Sequence, residues 1–154
     1  MGRLTYRPIA LDDFEPYHEL LNDRECLRYL LHPEPHAAEL TRRLLRRAVA
    51  DHDGTIGMYT LLDGGEIVGW AGYQRRDALE PGGVELGWLL RRRFWGRGYA
   101  TEAARHLRAL GPERVLHLIH PENGASIAVA RKLGARWERN IRAGAPAAVY
   151  ASAR

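Results

Sequence analysis

The chain has 154 residues, 45% of them hydrophobic, and a formal net charge of +4, with a sequence pI near 9.6. That length supports one hydrophobic core and argues against two, so a single domain over residues 1–154 is expected; the lone Cys26 excludes an internal disulfide framework, and no apolar run reaches membrane-spanning length. No charged-then-apolar leader opens the chain, which makes a reducing, cytoplasmic setting the expectation and gives no reason to expect a membrane partner.

In chain order, Leu4 to Arg7 reads as a short strand ended by Pro8, and Asp12-Asp13 opens a helix running through Tyr17, Leu20 and Leu21. Two prolines between His32 and His36 mark a loop. Glu39 to Ala50 then repeats Leu40, Leu44, Leu45 and Ala48 among arginines, the pattern of an amphipathic helix. Thr55 to Leu62 and Ile67 to Tyr73 are strands joined by Asp63-Gly64-Gly65-Glu66, a hairpin signal. Val84 to Leu90 is a further strand, and Tyr99 to Leu110 is helical through Ala103, Leu107 and Leu110 until Gly111-Pro112 stops it. Val115 to His120 is β-rich, a second helix follows Asn123, and Arg136 to Arg142 with Ala147 to Ala151 form a closing hairpin across Gly144 and Pro146. This order predicts an α+β fold with a mixed sheet.

The segment Arg93-Phe94-Trp95-Gly96-Arg97-Gly98-Tyr99-Ala100 places two glycines and flanking arginines between a strand and a helix. Glycines let the backbone approach an anion, and the first amides of a helix lack intrahelical partners and sit at a positive dipole end, so the segment reads as a seat for a pyrophosphate. Its spacing fits neither G-x-G-x-x-G nor G-x-x-x-x-G-K-[ST].

Arg93-x-x-Gly96-x-Gly98 resembles the acetyl-CoA signature of the GNAT superfamily of N-acetyltransferases. Asn123-x-x-Ser126 followed by Lys132-Leu133-Gly134, and Glu85-Leu86-Gly87-Trp88 before the loop, are similar to motifs of the Rim-type ribosomal-protein N-terminal acetyltransferases within it. The resemblance implies an α/β sandwich with a mixed, mostly antiparallel central sheet of about seven strands flanked by helices. It implies acetyl transfer from acetyl-CoA to a primary amine, a protein N-terminus or a small molecule; a CoA-binding regulatory domain without catalysis is the alternative. A homodimer is a fair expectation for such folds.

By this resemblance, Phe94, Trp95, Gly96, Arg97, Gly98, Tyr99 and Ala100 bind the cofactor phosphates, with Arg93 and Arg97, and in second place Arg92, meeting them by charge. Arg91 is equally well read as solvated. Trp88, Leu89 and Leu90, on a splayed strand edge, offer main-chain hydrogen bonds to the pantetheine amides and backbone amides to the oxyanion. Asn123 contacts the pantetheine arm and Ser126 lies near the thiol, although each also reads as a residue that starts a helix.

Glu85 is the candidate base, its affinity for a proton raised by an apolar setting with Trp88 and Trp70; the competing reading pairs it with a nearby arginine. Glu102 reads as structural, a carboxylate near a helix N-terminus. Many superfamily members carry a thiolate-protonating tyrosine seven residues after the Asn; here that position is Ala130, which leaves the acid open among Ser126, water and solvent, and an Ala130→Tyr change is expected to be tolerated. His117 and His120 project to opposite faces of a strand, so no metal is expected. The positive charge suits anionic CoA, but an arginine-rich genome composition explains it as well, and no nucleic-acid partner is expected from charge alone.

Overall fold

The computed structural model describes residues 2–154. Seven strands form one sheet in the order β1-β2-β3-β4-β5-β7-β6: β1 (Thr5–Pro8), β2 (Met58–Asp63), β3 (Glu66–Arg75), β4 (Val84–Leu90), β5 (Arg114–Ile119), β6 (Arg136–Ala143) and β7 (Ala145–Ala153). Five helices flank it: α1 (Phe14–Leu20), α2 (Arg24–Leu27), α3 (Ala38–Asp51), α4 (Tyr99–Leu110) and α5 (Gly124–Lys132). Every pairing is antiparallel except β4 with β5, which are parallel and register only at Glu85 and Leu116. The crossover through α4 makes that pair parallel.

Alternation along β3 sends its side chains to two cores. Ala71 and Tyr73 join Leu86, Phe94, Ala103 and Leu107 beneath α4. Trp70 joins Leu20, Leu27 and Leu45 beneath α1 to α3, with its ring edge-on to Tyr17 at 4.9 Å.

Several boundaries differ from the sequence reading, and one helix is added to it. β2 starts at Met58, because Asp53 Oδ1 accepts the Thr55 and Ile56 amides at 3.0 and 2.7 Å and folds residues 53–56 into a turn. The first helix begins as a 3-10 turn, Leu11–Asp13, since the Asp13 carboxylate is drawn back to the Ala10 amide, Arg7 and Thr60. Pro146 lies inside β7 opposite Arg142, so Gly144 alone turns the last hairpin. The short helix α2 had no sequence signal; Asp23 caps it by accepting the Glu25 amide at 3.0 Å.

Candidate active site

At the end of β4 the chain makes a 3-10 turn, Arg92–Phe94. Here the Phe94 and Trp95 amides donate to Arg91 and Arg92 carbonyls at 3.0 Å each. Those two amides, expected to face a phosphate, are therefore occupied, and the free donors begin at Gly96. Gly96 and Gly98 have φ of 72° and 82°, a left-handed conformation that only glycine adopts cheaply. Gly98 caps α4, whose first internal hydrogen bond runs from the Glu102 amide to the Gly98 carbonyl at 3.0 Å. The Tyr99, Ala100 and Thr101 amides are left pointing outward at the positive dipole end. A Cβ built on Gly96 meets no described atom within 4 Å, so this backbone faces open space.

Around the loop, side chains anchor more than they reach. The Phe94 and Tyr99 rings are buried in the α4 core, and the Tyr99 hydroxyl donates to the Asp63 carboxylate. Glu102 accepts the Leu4 amide at 2.8 Å and Arg3 Nε at 3.3 Å, while Arg3 Nη2 donates to the Arg97 carbonyl at 2.8 Å. Glu102 thus ties the chain ahead of β1 to the loop, contacts that its place near a helix N-terminus did not announce.

The arginines depart from expectation. Arg93 pairs with Glu66, Arg92 with Asp23 at 3.1 Å, and Arg91 donates to the Ile67 carbonyl at 2.9 Å and pairs with Glu19, so it is not solvated. Neither Arg93 nor Arg97 lines the neighbouring cleft; its cations are Arg28, which the sequence reading did not single out, and Lys132, quoted there only as part of the Lys132-Leu133-Gly134 pattern.

That cleft, of about 550 Å³, runs from Gly96, Gly98 and Ala100 along β4 to α5. It exists because β4 and β5 part after their single registered pair. At the fork, His117 bonds the Leu86 carbonyl through Nδ1 at 3.0 Å and Ser152 Oγ through Nε2 at 3.0 Å, and Arg108 Nε donates to the same hydroxyl at 3.1 Å. Burial pushes the His117 pKa down to about 4, so it is neutral and structural near pH 7. Beyond the fork, Trp88 and Leu89 pair with β3 on one side and border the cleft on the other. The Leu90 carbonyl is already used by Trp95 Nε1 at 3.0 Å and Cys26 Sγ at 3.7 Å. Burial raises the Cys26 thiol to about 11, which keeps it protonated.

A second cavity of about 240 Å³ holds Glu85 and Arg76. Glu85 Oε1 accepts Arg76 Nε at 2.8 Å and lies 2.7 Å from Nη2 in the same ion pair, with its side chain 12% exposed. Desolvation raises the carboxyl pKa and outweighs the opposing pull of Arg76. Glu85 therefore has the arginine partner of the competing reading, but in a buried setting. Trp70 takes no part, since it is buried on the α1 to α3 side; Trp88 does line the cavity.

The two cavities share Tyr29, Leu30, Trp88, Asn123 and Ser126 and so form one passage. Trp88 Nε1 donates to Ser126 Oγ at 3.2 Å, and Asn123 Oδ1 caps α5 by accepting the Ser126 amide at 3.2 Å. Asn123 keeps its side-chain NH2 for other use. Ala130 is fully buried among Ile119, Ala135 and Tyr150, so the expected tolerance of a tyrosine there is overturned: the space is filled. Tyr29 and Leu30 escaped the sequence reading because they follow the unsignalled α2. Among the described residues no cluster of His, Cys, Asp and Glu is arranged to hold a metal, and no helix is long and apolar enough to cross a membrane.

Among relatives, YkkB of Bacillus subtilis is 38% identical over 92 residues, 56% of this chain and 54% of its own length, so that match spans about half of the relative. The uncharacterized N-acetyltransferase p20 of Bacillus licheniformis is 26% identical over 91% of this chain and 83% of its own length. An acetyltransferase from Agrobacterium tumefaciens superposes with a TM-score of 0.82 at 29% identity, over 99% of this chain and 92% of that one. RimL, a ribosomal L7/L12 alpha-N-protein acetyltransferase solved with coenzyme A, shares the fold at 20% identity (TM-score 0.80, 99% and 95% covered). The aminoglycoside acetyltransferase AAC(6')-Ib, also solved with coenzyme A, does so at 18% (TM-score 0.80, 98% and 95% covered). Residues 3–136 match the acetyltransferase (GNAT) domain model, and the chain belongs to that family.

Proposed function

We propose that the chain is an acetyl-CoA-dependent N-acetyltransferase that moves an acetyl group to a primary amine by direct attack with both substrates bound. The observation carrying this reading is the continuous passage with free helix-start amides at one end, a buried carboxylate at the other, and Trp88, Asn123 and Ser126 where they meet. Acetyl-CoA supplies the thioester acetyl group.

The residues present fit that co-substrate. Backbone amides from Gly96 to Thr101 offer an anion seat with no side chain in the way at Gly96, and Arg28 and Lys132 add positive charge to the walls. The outer edge of β4 at Trp88 and Leu89 presents main-chain groups to the pantetheine amides and polarises the acetyl carbonyl. Asn123 holds the arm through its free NH2. Ser126 accepts from Trp88, which leaves its own proton to donate toward the sulfur. Glu85 takes the amine proton, and the desolvation that raises its pKa strengthens it as a base.

Ala130 and the Asn123, Ser126 and Lys132-Leu133-Gly134 pattern support a Rim-type affinity within the family. A cytoplasmic setting goes with this reading, and a homodimer is the expected assembly. Amine-dependent release of CoA, followed with a thiol reagent, tests the proposal. A catalytically inactive CoA-binding domain would bind acetyl-CoA and release none.

A further inference from the structure

We infer that the acceptor is a primary amine on a compact, uncharged, largely apolar body, and that the guanidinium of Arg76 excludes acceptors carrying a second positive charge. The inference rests on the acetyltransferase reading and names its second substrate.

Size sets the first limit. The acceptor-side cavity of about 240 Å³ has room for about eight water-sized groups at the ~30 Å³ each occupies in the liquid. Tyr29, Leu30, Leu31, Leu118 and Ile119 supply apolar walls, which reward the burial of a hydrocarbon body.

Charge sets the second. Among the described residues lining the cavity Glu85 is the only acid, and Arg76 already occupies its Oε1 through two nitrogens. That guanidinium is fixed in place, since Nη2 also donates to Gln74 Oε1 at 2.7 Å. The backbone of Arg76 is tied into the β3–β4 connection, its amide donating to the Gly83 carbonyl at 2.7 Å. His120, the imidazole on the wall, accepts the Glu122 amide at Nδ1 at 3.1 Å and packs on Tyr29 at 5.1 Å. In that tautomer its proton sits on Nε2, so it offers a second ammonium a donor where an acceptor is needed. Nearby Glu80 and Glu138 are both engaged by Arg114. A first ammonium can meet the Glu85 carboxylate and lose its proton there; a second meets Arg76 with no other acid on the wall to neutralise it.

The test compares hexylamine with hexamethylenediamine, of equal chain length and differing by one charge, alongside phenethylamine, a leucine-initiated tripeptide amide, spermidine and kanamycin. Acetyl-CoA binding is measured separately by calorimetry. Hexylamine is expected to exceed the diamine in kcat/KM by at least about tenfold, the scale of an unneutralised like-charge contact, and Arg76→Gln should narrow that gap. Turnover of phenethylamine without the peptide marks a free small amine as the source of the amine group, and the reverse marks a chain terminus. Equal or better use of the diamine, spermidine or kanamycin overturns the inference, as does acetyl-CoA binding without turnover of any apolar monoamine. Loss of acetyl-CoA binding itself would instead sink the acetyltransferase reading beneath it.

Discussion

Replacing Glu85 by glutamine keeps the shape of the side chain and one oxygen for Arg76, yet removes the only carboxylate among the described residues lining the acceptor-side cavity. The loss of one charge-assisted hydrogen bond at a side chain 12% exposed costs about 1.5–3 kcal/mol, partly offset because the buried charge no longer has to be desolvated. The fold should therefore persist and acetyl-CoA binding with it, since the proposed cofactor contacts lie on β4, α4 and α5. Turnover should fall by ~10²–10⁴ for a lost general base, or about 2.7–5.4 kcal/mol of barrier at 1.36 kcal/mol per tenfold.

The pH dependence sharpens this expectation. An α-amine of pKa ~8 is about one-tenth neutral near pH ~7 and nine-tenths near pH ~9, so the wild-type to variant ratio should fall about tenfold over that range. An alkyl amine of pKa ~10.4 would give a fall of about a hundredfold, so the size of the fall reports the acceptor class. CoA release measured at both pH values for both proteins is the assay. A ratio near unity that does not change with pH would refute the reasoning and leave Glu85 as an orienting partner of Arg76.

Other consequences are accessible to simpler measurements. Asp13 is 1% exposed and binds Arg7, Thr60 and the Ala10 amide, so Asp13→Ala should cost about 3–5 kcal/mol by urea unfolding. Burial pushes the Asp13 pKa up, but the hydrogen bonds from Arg7, Thr60 and Ala10 win and hold it below the ordinary value. Its stabilisation is therefore complete above the unfolded pKa of ~3.9 and lost as pH drops through the lower folded value; the difference between wild type and Asp13→Asn in urea midpoint should shrink there. Ala130→Tyr should lower the melting temperature, the overpacking costing about 1–3 kcal/mol. Asn123→Ala should remove both the α5 cap, about 1 kcal/mol, and the proposed cofactor contact, whereas Asn123→Ser should keep the cap and still raise KM for acetyl-CoA.

The glycine loop was legible in the sequence because its parts are contiguous: strand, two glycines and an apolar-spaced helix occupy Val84 to Leu110. The seven strands were legible in existence through alternation and turn residues, less so in extent, since Asp53 and Gly144 set local ends by geometry that spacing does not encode. What stayed hidden depends on distant segments meeting. Helix α2 has four residues, too few for a period, and it delivers Tyr29 and Leu30 to the passage. Arg76 reaches Glu85 through the β3–β4 connection, and Glu66 and Asp23 draw Arg93 and Arg92 away from the cleft by surface pairing no motif announces.

Calorimetric titration of acetyl-CoA into wild type and Gly98→Val tests the central claim most directly. Gly98 holds φ of 82° at the start of α4, where a β-branched residue must strain or turn the free amides away from the cleft. The account predicts saturable binding to the wild type, and affinity at least about tenfold weaker for a variant that circular dichroism shows still folded, the loss expected when oriented backbone donors to an anion are displaced. Unchanged affinity in the folded variant, or no binding to the wild type, would contradict it.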